Sequence, residues 1–228
     1  MSSTFTMPLG PVHVALEEPV YFRLTVEGET VRNVELTSGH VHRGMEAMAT
    51  QRNLIKNTTL TERVCSLCSN SHSFTYCMSV ENVLGITIPE RARYLRVLAE
   101  EIKRVASHLF NTAIQAISSA SSPCSCTSWK CANDAGREGN RVRQPHEPGS
   151  NCIGGVKCDV ERDMLDYILG MIAKVEPAVD EIREIYDTNS LVLARTKGLG
   201  LLPKEDAVRL GVVGPVARGS GVVIEINE

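Results

Sequence analysis

The stretch RVCSLCSNSH, Arg63 to His72, holds the residues of this chain best suited to chemistry. Cys65 and Cys68 stand three positions apart. On a helix or in a tight turn, that spacing puts both sulfurs on one side. Two thiolates so placed grip one soft or borderline metal ion. Arg63 and His72 flank the pair and are near enough in sequence to offer hydrogen bonds around such an ion. The spacing also admits two other readings. The cysteines can be buried together as small hydrophobes, or they can form a redox pair, for which the surrounding βαβ pattern is absent.

The rest of the composition narrows the setting. The chain has 228 residues, 43% of them hydrophobic, and carries a formal net charge of -3. It is long enough to bury a core, and its charge argues against nucleic acid as a partner. No run approaches the roughly 18 apolar residues of a membrane-spanning helix. The N-terminus MSSTFTMPLGPVHV lacks the basic start and apolar core of a secretory signal. A reducing compartment follows, where eight cysteines point to metal or catalysis before disulfides.

The elements that must position the motif read as α+β, mainly α. Val20 to Leu36 alternates apolar and polar residues around a turn and predicts a β-hairpin. GHVHRGMEAMATQRN opens helical structure. The segment from Thr58 to Gly85, which contains the cysteine pair, reads as mostly helical, capped by Thr59 or Thr61 and ended by Gly85. Pro89 starts a long amphipathic helix through Leu95, Leu98, Ile102, Val105, Leu109 and Ala113. A second long helix follows Asp159, with Pro177 kinking its middle. The tail from residue 191 is glycine-rich and reads as irregular. Between the two long helices, residues 117–149 hold Cys124, Cys126 and Cys131 with little apolar periodicity.

The motif does not stand alone. GPVHVALEEP, GHVHRGME, RVCSLCSNSH, SNCIGGVKCD and GPVARGSG occur in that order. Together they resemble the large subunit of [NiFe] hydrogenases, specifically the membrane-bound, energy-converting (Ech-type) group, over its N-terminal part. They are also similar to the quinone-site subunit of NADH–quinone oxidoreductase, a relative without the metal cysteines. The resemblance implies a nickel–iron centre with diatomic ligands on iron. Cys65 would be a terminal nickel ligand, and Cys68 would bridge nickel and iron. Glu46 matches a glutamate that helps hold magnesium. Glu17 matches a proton-transfer glutamate, with Glu18 as its rival. Arg63 and His72 would support the site. His13 and His42 fit a quinone-side region or purely structural roles, and Cys77 falls outside the motif as a core residue.

The implied reaction is H2 oxidation or proton reduction. Uneven splitting of H2 needs an electrophilic metal pair and a nearby base. No cluster-binding set occurs in the chain, so iron–sulfur clusters belong to a small partner subunit, with ferredoxin as electron partner. Membrane subunits would hold the protein peripherally on the cytoplasmic side.

Two departures from the family stand out. The second cysteine pair that completes the nickel site in family members is absent before Glu228. The chain thus reads as a single incomplete large-subunit domain: a β element to residue 45, a helical bundle over 46–190, and the tail over 191–228. Residues 117–149 also resemble the family poorly as written. With suitably chosen codons, two of their segments read in shifted frames become similar to it. They are therefore expected to be frame-shifted, irregular coil whose cysteines bind nothing. Two alternatives remain: a metal-free quinone-site subunit, and a non-catalytic zinc-binding protein that uses the additional cysteines.

Overall fold

The computed structural model of the chain describes residues 4–13, 16, 18–118, 130 and 151–223. The fold is α+β and mainly α. It divides into two compact units, residues 1–60 and 61–228.

The first unit carries a three-stranded antiparallel sheet. Its strands are β1 (Thr4–Leu9), β2 (Tyr21–Glu27) and β3 (Thr30–Thr37), in that order. The hairpin expected from the alternation is β2–β3. It closes through a two-residue turn in which Gly28 adopts φ 62, a value that suits glycine. The register stacks Leu9, Phe22 and Leu36 on one rung, Met7, Leu24 and Val34 on the next, and Phe5, Val26 and Val31 on the third. Opposed residues share a face, so one side of the sheet is apolar. β1 is an addition to the sequence reading. Pro8 weakens the strand pattern there, yet an edge strand tolerates proline.

Two short helices follow, α1 (Met45–Thr50) and α2 (Leu54–Glu62). The helix read as starting at Thr59 or Thr61 begins instead at Leu54. Asn53 supplies the start signal, its Oδ1 accepting the Lys56 N–H at 2.8 Å. Asn57 then ties the two helices, its Nδ2 donating to Ala49 O at 2.9 Å.

The second unit is built on three long helices, α3 (Ser69–Leu84), α4 (Glu90–Ser118) and α5 (Arg162–Thr188). The sequence reading ran helix through the cysteine motif; the structure breaks it at residues 63–68. α3 ends where expected, at Gly85 in the left-handed region with φ 64. α4 follows Pro89 and repeats with a seven-residue period. Leu95, Ile102 and Leu109 form one buried row, and Ala92, Ala99, Ala106 and Ala113 form another. Leu95 and Ile102 pack with Val160 and Ile168, and Leu109 packs with Ile182. Burying each large aliphatic side chain contributes about 1.5–3 kcal/mol. α5 runs through Pro177 without interruption.

A small hairpin, β4 (Asn151–Cys152) with β5 (Gly155–Val156), lies against α3 and α4. The tail read as irregular holds three short helices, α6 (Ser190–Thr196), α7 (Lys204–Arg209) and α8 (Gly214–Gly219). Local capping accounts for the first: Asn189 Oδ1 accepts the N–H groups of Leu191 and Val192. The frame-shifted coil expected over 117–149, with Cys124, Cys126 and Cys131, lies outside the described residues apart from the end of α4 and Lys130.

Candidate metal centre

The break between α2 and α3 makes the site. Cys65 lies in the turn, and Cys68 is the N-cap of α3. The Cys68 N–H donates to Cys65 Sγ at 3.3 Å, which folds the motif back on itself. His72 sits one turn into α3, its N–H donating to Cys68 O at 3.4 Å. Residues four apart on a helix share a face, so the ring of His72 comes over Cys68. The donor atoms of Cys65, Cys68 and His72 all lie within 4.8 Å of one another, and all three residues are half-buried. Among the described residues, this is the one such group of three or more metal-binding side chains.

Burial pushes the Cys68 thiol up to about 11, with help from its hydrogen bond to Cys65 and from the charges of Cys65 and Glu100. Two thiolates side by side are therefore unfavourable without a compensating cation. A bound metal would supply that cation and take the place of the protons.

The other residues singled out from the sequence are not members of this trio. Arg63 is exposed in the turn after α2. Glu46 is exposed in the first turn of α1, and Glu18 is exposed in the first unit. His13 and His42 are also exposed. Glu17 lies outside the described residues. Cys77 is fully buried in α3, as a core residue should be.

The structure adds two features behind the cysteines. The first is a buried ion pair. Arg96, with no exposed surface, donates from Nη2 to Glu81 Oε1 at 2.6 Å and from Nη1 to Glu81 Oε2 at 2.9 Å. It also donates to Gly155 O at 3.0 Å and Cys152 O at 2.7 Å, which pins the β4–β5 hairpin. The Phe74 ring lies 5.9 Å from the guanidinium carbon. The hydrogen bond from Arg96 holds the Glu81 carboxyl below its ordinary range. The second is a carboxylate, Glu100, that meets the first turn of α3 through Asn70 and Ser71. The sequence held one faint signal for the first feature, a charged residue amid buried positions of α4.

Comparison with known proteins agrees with this layout. A family model described as nickel-dependent hydrogenase matches residues 43–111, the stretch that holds the cysteine pair. A second, described as the 49 Kd subunit of respiratory-chain NADH dehydrogenase, matches residues 139–227. The chain is 49% identical to the carbon monoxide-induced hydrogenase of Rhodospirillum rubrum, over 99% of this chain and 63% of that protein. The chain is similar both to nickel-dependent hydrogenases and to the 49 Kd subunit of NADH dehydrogenase. The alpha subunit of the membrane-bound hydrogenase of Pyrococcus furiosus is 34% identical over 95% of this chain and 51% of its own length. An NADH-quinone oxidoreductase subunit of Thermodesulfovibrio yellowstonii is 32% identical over 99% of this chain and 57% of its own. The chain thus spans between half and two thirds of these hydrogenase and oxidoreductase relatives. Its fold is that of a chain in the membrane-bound sulfane sulfur reductase, an archaeal respiratory membrane complex. The TM-score is 0.87 at 23% identity, covering 98% of this chain and 60% of that one. Among the described residues, no helix is long and apolar enough to cross a membrane.

Proposed function

We propose that this chain is large-subunit sequence of an energy-converting [NiFe] hydrogenase, with Cys65 and Cys68 as two of the thiolate ligands of its metal centre. The observation that carries this reading is the convergence of the two sulfurs with His72 in one half-buried group. The donor set fits the group. Two thiolates suit nickel and iron, and the cost of deprotonating Cys68 is offset only by a cation. When bound, a nickel–iron pair with diatomic ligands on iron supplies the electrophile that polarises H2.

The remaining work falls to the chain. Cys65 and Cys68 are the proposed thiolates that would hold the group through their sulfurs. His72, one turn along α3, is the proposed orienting group for the pair. Glu17 or Glu18 is the proposed carboxylate that passes protons outward, and Glu46 a proposed magnesium ligand. Arg63 is a proposed supporting hydrogen-bond donor. Iron–sulfur clusters are assigned to a small partner subunit, ferredoxin to the electron exchange, and membrane subunits to peripheral attachment at the cytoplasmic face.

The test is metal content and H2 turnover in the protein purified with its native partners. Nickel and iron present together, and lost with H2 activity on Cys68→Ser, is the expected result. Zinc alone would sink the reading. A second reading, a metal-free quinone-site subunit, draws support from the match of residues 139–227 to the NADH dehydrogenase 49 Kd family. Quinone-dependent activity in metal-free protein that survives Cys65→Ser would favour it.

A further inference from the structure

A carboxylate that no motif marks is clamped to the turn carrying the cysteines. Glu100 is half-buried on α4. Its Oε2 accepts from Asn70 Nδ2 at 2.7 Å, and its Oε1 accepts from Ser71 Oγ. Both donors belong to the first turn of α3, between the Cys68 N-cap and His72. Asn70 is fully buried, and its Oδ1 accepts from Asn151 Nδ2 at 3.1 Å. Asn151 also donates to Ser73 Oγ at 3.0 Å. The turn that aims Cys68 and His72 is therefore gripped from two sides, by α4 through Glu100 and by β4 through Asn151. Glu100 is not itself one of the side chains that converge within 4.8 Å.

We propose that Glu100 is a positioning residue for the metal site: its two oxygens fix the first turn of α3 so that Cys68 and His72 face Cys65, without Glu100 joining the ligand set. The inference rests on the reading of Cys65 and Cys68 as metal ligands. The chemistry favours this role. A carboxylate offers two acceptors in one plane, and each is taken by a donor of the same helical turn. Hydrogen-bonding partners behind metal ligands typically govern about 10–100-fold in affinity.

The experiment is a Co2+ titration of the metal-free 228-residue chain, followed by visible absorption, with helicity checked by far-UV circular dichroism. Glu100→Ala should weaken Co2+ binding by about tenfold, the low end of that range, and shift the d–d bands while helicity is kept. Ser71→Ala, which removes one donor at a half-buried position, should give the same spectral shift in milder form. Glu100→Gln can still accept from Asn70 and donate to Ser71 Oγ, so it should restore most of the parent affinity and spectrum. If Glu100→Ala fails to fold, Ser71→Ala and Glu100→Gln decide. Parent-like bands in Ser71→Ala, or a Glu100→Gln variant as weak as an alanine, would overturn the positioning role. Absence of a sulfur-to-cobalt charge-transfer band in the parent chain is a different failure: it would remove the metal reading and this role with it.

Discussion

Replacing Arg96 by methionine tests how the second unit is held together. The parent guanidinium makes two hydrogen bonds to Glu81, at 2.6 and 2.9 Å, and bonds to the carbonyls of Cys152 and Gly155. Methionine fills much of the volume and supplies none of them. Glu81 is 5% exposed and would keep only the Gly154 N–H, at 2.8 Å. Removing one member of a buried pair costs about 3–5 kcal/mol, because the other charge stays buried and uncompensated. That is a large share of the roughly 5–15 kcal/mol that holds a typical domain folded. The pH dependence carries a definite sign. In the parent, Arg96 depresses the Glu81 carboxyl, so this pair's contribution is present above the ordinary carboxylate range and lost as pH falls through the depressed value. In Arg96→Met, burial without a partner raises the same carboxyl, and the variant is relieved by protonation in mild acid. The gap between parent and variant should therefore be wide at neutral pH and narrow toward pH 4. Urea unfolding followed by far-UV circular dichroism at both pH values measures it. The double change Glu81→Leu with Arg96→Met should recover most of the loss, since no charge is left buried. A single-variant cost below about 1 kcal/mol at neutral pH, or a deficit that does not change with pH, would refute the argument.

Three further outcomes follow from local geometry. Cys68 is protonated more tightly in the folded, metal-free chain than in the unfolded one, at about 11 against 9.0. Its contribution to stability is thus complete below pH 9 and is lost as pH rises toward 11, which thermal melts across that window will register. Asn189→Ala removes the acceptor for two N–H groups at the start of α6 and should cost about 1 kcal/mol, read by denaturant midpoint. Pro177→Ala restores an N–H inside α5 at an exposed position and should raise Tm, with a gain of up to about 3 kcal/mol. An unchanged Tm would mean that the helix is already adapted to the proline.

What the sequence revealed depended on how local the cause was. The β2–β3 hairpin follows from apolar–polar alternation and a glycine turn. The long helices follow from apolar spacing, from Pro89 and from Gly85. The pairing of Cys65 and Cys68 follows from spacing alone. The readings that failed were of two kinds. Some local signals were masked by stronger-looking ones: Asn53 starts α2, while Thr59 and Thr61 merely look like caps, and residues 63–68 break a helix that the flanking segments suggest is continuous. The tail helices are six or seven residues long, too short to display a period. The other kind was non-local. Arg96 is one charge among many on an amphipathic helix until Glu81, Cys152 and Gly155 surround it. Glu100 likewise has no evident task until Asn70 and Ser71 reach it.

The β4–β5 hairpin also sets an order of events in time. Arg96 and Glu81 are 15 residues apart and can meet as soon as α3 and α4 pair. The carbonyls of Cys152 and Gly155 lie 56 and 59 residues beyond Arg96, and Asn151 lies 81 beyond Asn70. Closing those loops costs chain entropy before any bond is gained, so they form late. On the ribosome, α3 and α4 would emerge and associate while the guanidinium still awaits its carbonyl partners. A contact made after the rate-limiting step slows unfolding without hastening folding. Asn151 thus acts as a latch: weakening it should quicken the opening of the turn that bears Cys68 and leave the speed of folding nearly unchanged.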